Sequence, residues 1–338
     1  MPEETTVTAT HSLSDDIPLY RRFPALRSLP RASLCIGASP VQLLSDIPGA
    51  SDLWIKRDDL NAPLMGGNKV RALEFLLGSV RAGDTVLTLG GAGSTHVLST
   101  AIHARRLGAG TMAIRWKHDM NEIADLVSKR VAEELEVTTR IGSPAGALLR
   151  ASYLRLTRNV HFIPVGGGSP LGALGHVNAA LELAAQIKDG ALPEPRRIVV
   201  PLGTGATMAG LALGLAIAGL DIPVVGARVG PRLFANRRAV ENVIRGTSRA
   251  IAQATGESIP RVRPENIRVV HNVYGGAYGR PLLAATEAAA ILRALSGIRL
   301  DATYSAKAFA AALDLARTEP GGGPTLFWLT FDGRWLTS

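Results

Sequence analysis

One order of residue types occurs three times along the chain: a short run rich in β-branched residues or leucine, a glycine loop, and a segment rich in alanine and leucine. The runs are residues 84–89, 160–165 and 197–202, the loops are 90–96, 166–170 and 203–207, and the following segments end at Leu107, Ala184 and Ala218. The runs predict strands and the segments predict helices. Strands that alternate with helices favour parallel sheets covered by helices on both faces.

Further strand-like runs fit the same α/β pattern. They are residues 53–56, 111–116, 137–141, 223–229, 267–270 and 325–329. The stretch 231–264 contains several arginines and no strand pattern, which predicts helical or irregular structure. Open α/β sheets bind ligands beyond the carboxyl ends of their strands, and all three glycine loops follow predicted strands. The loops are therefore predicted to meet at one site.

The composition is that of a globular protein. The chain has 338 residues, of which 46% are hydrophobic and 19% are charged, enough for one large or two moderate domains. A single cysteine, Cys35, excludes an internal disulfide framework and predicts a reducing compartment, the cytoplasm. The longest apolar stretch, 208–220, is too short for a membrane span, and residues 1–16 are predicted to form a polar tail without a secretory signal.

The formal net charge of +9 does not by itself indicate a nucleic-acid partner. The arginines are dispersed, and no helix-turn-helix, zinc finger or interleaved aromatic segment accompanies them. Arginine pairs such as Arg196-Arg197 and Arg237-Arg238 are predicted on solvated faces. An anionic small molecule remains compatible with the charge.

Lys69 is one of only six lysines and lies between a glycine-rich turn and a predicted helix, in Gly66-Gly67-Asn68-Lys69. Flexible backbone before it and a helix N-terminus after it suit the close approach of a rigid ligand ring. A lysine desolvated there can act as a nucleophilic amine. A surface lysine that simply follows a turn stays open at this point.

The loop Gly203-Thr204-Gly205-Ala206-Thr207 combines consecutive backbone N–H groups, two hydroxyls and a helix N-terminus, which together predict a phosphate cradle. A tight strand-to-helix turn is the structural alternative. The loop has no lysine, which excludes a nucleoside-triphosphate loop. A dinucleotide fingerprint is disfavoured because the third glycine is displaced to Gly210 and no acidic residue ends the next strand.

Two further segments carry candidate functional side chains. Ser94-Thr95-His96 at a predicted helix start can bind a carboxylate through backbone N–H groups, with Ser94 as a polar or proton-transfer group, although a capping role is equally compatible. Tyr278, in a glycine-rich turn, can stack on a ring or transfer a proton. The histidines show no ligand spacing, so no metal site is predicted.

Taken in chain order, several of these motifs resemble the 1-aminocyclopropane-1-carboxylate deaminase and D-cysteine desulfhydrase family. The motifs are Lys56-Arg57-Asp58-Asp59, Gly66-Gly67-Asn68-Lys69, residues 90–96, 167–175 and 203–207, and Tyr278-Gly279-Arg280-Pro281. The resemblance implies a two-domain pyridoxal-phosphate enzyme of fold type II, similar to the tryptophan synthase β subunit, with open twisted and mostly parallel sheets flanked by helices. It implies a large domain from residues 1–72 and 181–338, an inserted small domain from residues 73–180, and a homodimer.

The resemblance also implies roles for individual residues. Lys69 would bind the pyridoxal 5′-phosphate cofactor covalently, and Asn68 would position the lysine or the cofactor. Gly203, Thr204, Gly205, Ala206 and Thr207 would hold the phosphate, and Thr330 would lie beside the pyridine nitrogen. Ser94, Thr95 and His96 would meet the substrate carboxylate and the cofactor edge, and Tyr278 would lie near the reacting carbon.

The sequence departs from the family pattern in four segments. The family usually has asparagine at the position of Thr95 and a lysine at the position of Ala72, and it has Thr-Gly-Gly where this chain has Thr330-Phe331-Asp332. Cyclopropane deaminases typically carry glutamate at the position of Ala277, so its absence argues against ring opening.

The function predicted on this basis is that of a pyridoxal-phosphate-dependent lyase or deaminase. It would act on a small amino acid by α,β-elimination, in the manner of D-cysteine desulfhydrase, and release a keto acid and ammonia. Lys69, Ser94 and Tyr278 would be the catalytic residues. β-Replacement, racemisation, a specialised biosynthetic reaction and non-catalytic cofactor binding remain alternatives, and a nicotinamide oxidoreductase is the alternative from another class.

Overall fold

A computed structural model describes residues 16–319 and 321–337, so the predicted polar tail lies, apart from Asp16, outside the described residues. The helices are α1 (Pro18–Arg22), α2 (Asn68–Leu76), α3 (Thr95–Arg106), α4 (Glu122–Glu134), α5 (Pro144–Thr157), α6 (Pro170–Lys188), α7 (Ala206–Ile217), α8 (Arg237–Thr255), α9 (Leu283–Ser296) and α10 (Ser305–Thr318). The strands are β1 (Val41–Leu43), β2 (Leu53–Arg57), β3 (Thr85–Gly91), β4 (Gly110–Trp116), β5 (Val137–Ile141), β6 (His161–Phe162), β7 (Arg197–Leu202), β8 (Val224–Arg228), β9 (Ile267–Val270) and β10 (Thr325–Leu329).

The strands form two open sheets, as the predicted fold class requires. The larger sheet has the order β1-β2-β10-β7-β8-β9, and the smaller sheet has the order β5-β4-β3-β6. Every pair is parallel except β1 with β2 at the edge of the larger sheet. Strand β10 lies between β2 and β7, so the C-terminal strand joins the N-terminal part of the chain to the middle part.

Two strands differ from the sequence prediction, since β1 has no counterpart among the predicted strands and β6 is shorter than predicted. Strand β6 covers only His161–Phe162 instead of residues 160–165. Ile163 N still donates to Leu87 O at 2.8 Å, but Pro164 has no N–H group with which to continue the ladder. The stretch 231–264, predicted to be helical or irregular, contains α8, which buries Val240, Ile244, Thr247 and Ile251 at the four- and three-residue spacing of one helix face.

The two faces of the larger sheet pack against different helices. Alternate residues of β10 point to opposite faces, so Leu326 and Trp328 join a core that includes residues of α6, α7 and α8. Phe327 and Leu329 join a second core that includes residues of α9 and α10. This covered, two-faced arrangement explains why the central strands contain almost continuous apolar residues.

The predicted division at residues 72–73 and 180–181 remains a prediction. The smaller sheet, β3 to β6, lies within residues 73–180, but helix α6 extends across residue 180. Its Leu174, Val177 and Leu183 all pack in the core of the larger sheet. We therefore propose that the inserted part ends before α6.

A buried network of charged side chains joins β2, α2 and α6. Lys56 Nζ lies 2.5 Å from Glu182 Oε1, and the Arg71 guanidinium contacts Asp58 at 2.6 Å and Glu182 at 3.0 Å. The indole N–H of Trp328 on β10 donates to Asp58 at 2.7 Å. Burial alone would raise the pKa of Asp58 and Glu182, but Arg71 and Lys56 hold the pKa of both carboxyl groups below the usual range.

The arginine pairs predicted on solvated faces divide into two kinds. Arg237 and Arg238 are exposed, as predicted. The prediction is wrong for Arg197, which is buried and forms an ion pair with Glu319 at 2.6 Å.

Within residues 16–319 and 321–337, no helix has the length and apolar character needed to cross a membrane.

Replacing Glu182 tests the importance of the buried network. Glu182→Gln would leave Lys56 and Arg71 buried with one carboxylate too few, so we expect a loss of about 3–5 kcal/mol in the free energy of unfolding. Urea unfolding measures the loss. The matched control is Glu133→Gln, which removes an exposed partner of Arg130 and should cost less than about 1 kcal/mol. Equal losses in the two variants would contradict the argument.

Candidate active site

A cavity of about 690 Å³ is lined by loops that follow strands of both sheets. All the residues predicted for the site from the sequence line it. They are Asn68, Lys69, Ser94, Thr95, His96, Gly203, Thr204, Gly205, Ala206, Thr207, Tyr278 and Thr330. The three glycine loops also contribute to its wall, so the predicted convergence on one site is observed.

Lys69 lies in the first turn of α2, held by close backbone contacts before it. Gly67 has φ of 109°, and a Cβ atom at this position would lie 2.4 Å from the carbonyl oxygen of Thr330. Only glycine therefore allows the turn to pass so close to the end of β10. Lys69 Nζ donates to Gly166 O at 3.3 Å. Burial lowers the pKa of Lys69 to about 8, although the carboxylate of Asp301 acts in the opposite direction.

Asn68 joins the lysine segment to the predicted phosphate loop. Its side-chain Nδ2 donates to Thr207 Oγ1 at 2.8 Å, and Thr207 Oγ1 lies 3.3 Å from His176 Nε2. Burial, reinforced by Arg71 and Lys69, holds the pKa of His176 well below its usual value, so the imidazole is neutral. The hydroxyl of Thr207 is thus positioned by two buried partners from α2 and α6.

The N-terminus of α7 offers backbone donors to the cavity. Gly205 occupies the N-cap position in the left-handed conformation, with φ of 90°, and no side chain caps the helix. The first N–H groups of a helix have no acceptor within the helix. Their orientation and the helix dipole favour an anion, and Gly203 and Thr204 extend the loop beside them.

Ser94 is the N-cap of α3, and Thr95 and His96 are the first two residues of that helix, which follows β3 of the smaller sheet. Ser94 Oγ accepts a hydrogen bond from Val97 N at 3.4 Å, so the capping role is real. Thr88 Oγ1 lies 3.1 Å from His96 Nε2 and 3.2 Å from Ile163 O, so it holds the imidazole ring in place. Burial, with a contribution from Lys69, lowers the pKa of His96 to about 3, so its ring is neutral.

Tyr278 is hydrogen-bonded through its hydroxyl to Tyr304, a cavity residue that the sequence analysis did not select. Burial raises the pKa of Tyr278 to about 12 and that of Tyr304 well above its usual value, so both phenols keep their protons at neutral pH. Asp301 accepts hydrogen bonds from Tyr304 N at 2.7 Å and Ser305 N at 2.9 Å. An aspartate shortly before an alanine-rich helix is a recognisable capping signal and could have drawn attention to Tyr304.

His118 is a second site residue that the motifs did not reveal. Its Nε2 accepts a hydrogen bond from Gly93 N at 3.1 Å. Its ring packs edge-to-face on Tyr278, with 5.1 Å between the ring centroids. His118 thereby links the glycine loop of β3 to the tyrosine pair. No sequence spacing indicates that His118 contacts Gly93 and Tyr278, because the three residues come from distant parts of the chain.

The departures from the family pattern have structural correlates. Asp332 is buried and its Oδ2 accepts from Gly66 N at 3.0 Å, so it anchors the turn that precedes Lys69. Phe331 forms a β-bridge with Gly67. Ala72 is buried, and its methyl group would lie 3.2 Å from a Cβ at Gly167. Ala277 is half-buried.

The donor set of the cavity fits a phosphorylated aldehyde. An amine with a lowered pKa can bind the aldehyde carbon, and the uncapped α7 N-terminus with Thr204 and Thr207 can hold the phosphate. Thr330 lines the cavity and can supply a neutral hydroxyl for the ring, and its Oγ1 lies 3.4 Å from Oγ of the buried Ser305. The fold and this donor set define a pyridoxal-phosphate enzyme of fold type II.

Comparison with known proteins gives the same result. Residues 32–330 match the family described as "Pyridoxal-phosphate dependent enzyme", and the chain belongs to that family. It is 37% identical to nocardicin C-9′ epimerase from Nocardia uniformis subsp. tsuyamanensis, over 82% of this chain and 85% of the relative. It is 32% identical to D-cysteine desulfhydrase from Salmonella paratyphi A, over 89% of this chain and 97% of the relative.

A solved structure described as an ACC deaminase homologue is also similar, with a TM-score of 0.76 and 32% identity over 93% of this chain and 94% of the other. These findings confirm the resemblance, the fold class and the cofactor predicted from the sequence. The protein is a pyridoxal-phosphate-dependent enzyme of the lyase and deaminase group.

The lowered pKa of Lys69 predicts a pH dependence of cofactor capture. Only the neutral amine attacks an aldehyde, so the rate at which cofactor-free protein binds pyridoxal phosphate covalently should rise with pH and level off above about pH 8. Stopped-flow absorbance measures this rate. The exposed Lys188 provides a control, because Lys188→Ala should keep the profile. A rise that continues towards about pH 10.4, as for an ordinary lysine, would contradict the assignment.

Proposed function

We propose that the protein catalyses α,β-elimination on an amino acid that carries a leaving group on its β-carbon, giving a keto acid and ammonia. The observation that carries the proposal is the meeting of Lys69, an amine with a lowered pKa, and the Tyr278–Tyr304 hydroxyl pair in one cavity. An amine can remove a proton and a protonated phenol can supply one. Similarity to D-cysteine desulfhydrase supports the same reaction.

Each predicted site residue has a role in this proposal. When bound, pyridoxal phosphate withdraws electrons from the α-carbon and so acidifies its proton. Residues 203–207 with Asn68 would hold the phosphate end, and Thr330 would supply a neutral hydroxyl to the ring. Ser94, Thr95 and His96 bind the substrate carboxylate at the α3 N-terminus, where the helix dipole favours a negative charge.

The proton transfers fall to two groups. Lys69 removes the α-proton, for which its lowered pKa is suited, because a large fraction of the amine is neutral near pH 8. Tyr278 donates a proton to the leaving group, and Tyr304 supports it through their shared hydrogen bond. The cleaved Cα–H and Cβ–leaving-group bonds leave an enamine, which water hydrolyses to the keto acid and ammonia.

Epimerisation of the α-carbon is the second candidate, and the 37% identity to an epimerase favours it. The first step is the same proton removal by Lys69. In place of losing a leaving group, the substrate would take a proton on the opposite face of the α-carbon. The Tyr278–Tyr304 pair keeps its protons at neutral pH and can supply this one.

The proposal includes a cytoplasmic homodimer. The single cysteine, Cys35, is compatible with a reducing compartment. Light scattering coupled to gel filtration tests the dimer, for which a particle of about twice the 35.5 kDa chain mass is expected.

Replacing Lys69 tests the proposed base. Lys69→Ala should remove the visible absorbance of the covalently bound cofactor and all turnover over a panel of D- and L-amino acids, because no other amine in the chain is proposed for the task. Keto acid and ammonia report elimination, whereas loss of optical rotation without them reports epimerisation. Lys188→Ala should behave like the unaltered protein. A yellow and active Lys69→Ala protein would exclude the assignment.

Replacing the phenol hydroxyls tests the proton donor. Tyr278→Phe keeps the ring contact with His118 but removes the hydroxyl, so kcat should fall by about 100-fold or more with little change in KM. Tyr304→Phe should have a similar effect, and the double variant should be little worse, because the two hydroxyls act as a unit. Tyr153→Phe, at an exposed position of α5, is the control. Additive losses would show that the hydroxyls act independently.

A further inference from the structure

The cavity extends beyond the residues that carry the chemistry. Its volume of about 690 Å³ lies within the range of about 300–1,000 Å³ that encloses drug-sized ligands. Apolar side chains supply the additional wall. They are Trp116, Leu148, Leu233, Phe234 and Val243. None of these residues has a part in the proposed proton transfers.

Three of these apolar residues are exposed. The accessible fractions of Leu148, Leu233 and Phe234 are 48%, 78% and 54%. Leu148 belongs to α5 beside the smaller sheet, and the other two belong to the segment between β8 and α8 beside the larger sheet. Single exposed apolar residues are ordinary, but a group of them lining one cavity marks a surface that a ligand covers.

A basic cleft adjoins this apolar part. Its wall includes Arg232, Arg237, Arg238 and His271, and it shares Leu233, Ala239 and Asn242 with the cavity. Arg237 is paired with Glu241 at 2.7 Å. Arg232 and Arg238 form no ion pair in the part of the chain that the structure describes. The cleft therefore has positive charge at Arg232 and Arg238 that is not paired with a carboxylate of residues 16–319 or 321–337.

The positive charge of the cleft lies at the N-terminus of helix α8, where it destabilises the helix. Helix α8 begins with Arg237 and Arg238 and has no acidic residue in its first turn, where the helix dipole disfavours cations. The side chain of Asn236 holds the preceding turn by donating to Arg232 O at 2.8 Å and Leu233 O at 3.1 Å. The same turn thus presents Leu233 to the cavity and Arg232 to the cleft.

We infer that the substrate is an amino acid whose leaving group carries an aromatic or other apolar extension ending in an anionic group. The amino-acid part would react at Lys69, the extension would contact Leu148, Leu233 and Phe234, and the anion would bind Arg232 and Arg238. This inference rests on the proposed function for the reacting end. It adds a substrate class that the small substrates of the desulfhydrase type do not represent.

A series of S-substituted cysteines tests the inference on the cofactor-loaded enzyme. The compounds are S-methyl, S-benzyl and S-(4-carboxybenzyl) cysteine, each in both enantiomers. Within one enantiomeric series they differ only in the group that leaves as a thiol. Elimination breaks the Cα–H and Cβ–S bonds, and with one water it yields the protonated thiol, pyruvate and ammonia. The expected order of kcat/KM is carboxybenzyl above benzyl above methyl. A preference for S-methyl, or equal values for benzyl and carboxybenzyl, would overturn the inference.

Variants of Arg232, Arg238 and Phe234 test whether these side chains contact the substrate extension. In Arg232→Gln/Arg238→Gln, the ratio of kcat/KM for carboxybenzyl over benzyl should fall about tenfold, as expected for two exposed charge contacts. Phe234→Ala should lower the ratio of benzyl over methyl by about tenfold. Arg249→Gln, at an exposed position later in α8, should leave both ratios unchanged. An unchanged ratio in the double variant, or loss of its cofactor, would assign the two arginines to another role and contradict the inference.

The α-proton distinguishes a failure of this inference from a failure of the proposed function. In deuterated water, elimination appears as conversion of the substrate to keto acid, and epimerisation appears as exchange of the α-proton for deuterium. If none of the six compounds gives either signal, the proposed function is wrong. Calorimetric affinities of the same compounds for the same enzyme then test the inference alone, and affinities that do not favour the carboxybenzyl compounds overturn it.

Discussion

The buried contact of Arg71 with Asp58 and Glu182 is the interaction on which the rest of the site depends. Asp58 follows β2, Arg71 lies in α2 and Glu182 lies in α6, so the pairs fix α2 against the sheet and its neighbouring helix. Lys69 precedes Arg71 by two residues in the same helix. A charge buried without its partner is strongly unfavourable, so the network tolerates few alternative arrangements of the helix that carries Lys69.

The same helix also connects the lysine to the cofactor cradle. Asn68 donates to Thr207 in the first turn of α7, and the backbone of Gly67 meets the end of β10. The amine and the donors for the phosphate are thereby held at a fixed separation by packed elements instead of by flexible loops. Preorganised donors of this kind do not have to be reorganised during the reaction.

One relative of this chain is named a desulfhydrase and another an epimerase, and elimination and epimerisation both begin when a proton leaves the α-carbon. We propose that the shared scaffold supplies that step and that the surroundings of the α-carbon select between the two reactions. In the proposed function those surroundings are the Tyr278–Tyr304 pair, His118 and an apolar region that continues to the basic cleft of Arg232 and Arg238. Substitutions in the surroundings can change the reaction without disturbing the lysine or the phosphate cradle.

The sequence alone determined the order of strands β2 to β10, the candidate lysine Lys69 and the glycine loops at the strand ends, because periodicity and glycine position are local properties. Strands β5, β7, β9 and β10 have the predicted bounds, and all the selected site residues line one cavity. Tyr304, His118 and the basic cleft were decided only by the tertiary structure. Tyr304 meets Tyr278 from 26 positions away, and His118 meets Gly93 from 25 positions away. Such partners depend on how separate elements pack, and no local pattern of residue types records that packing.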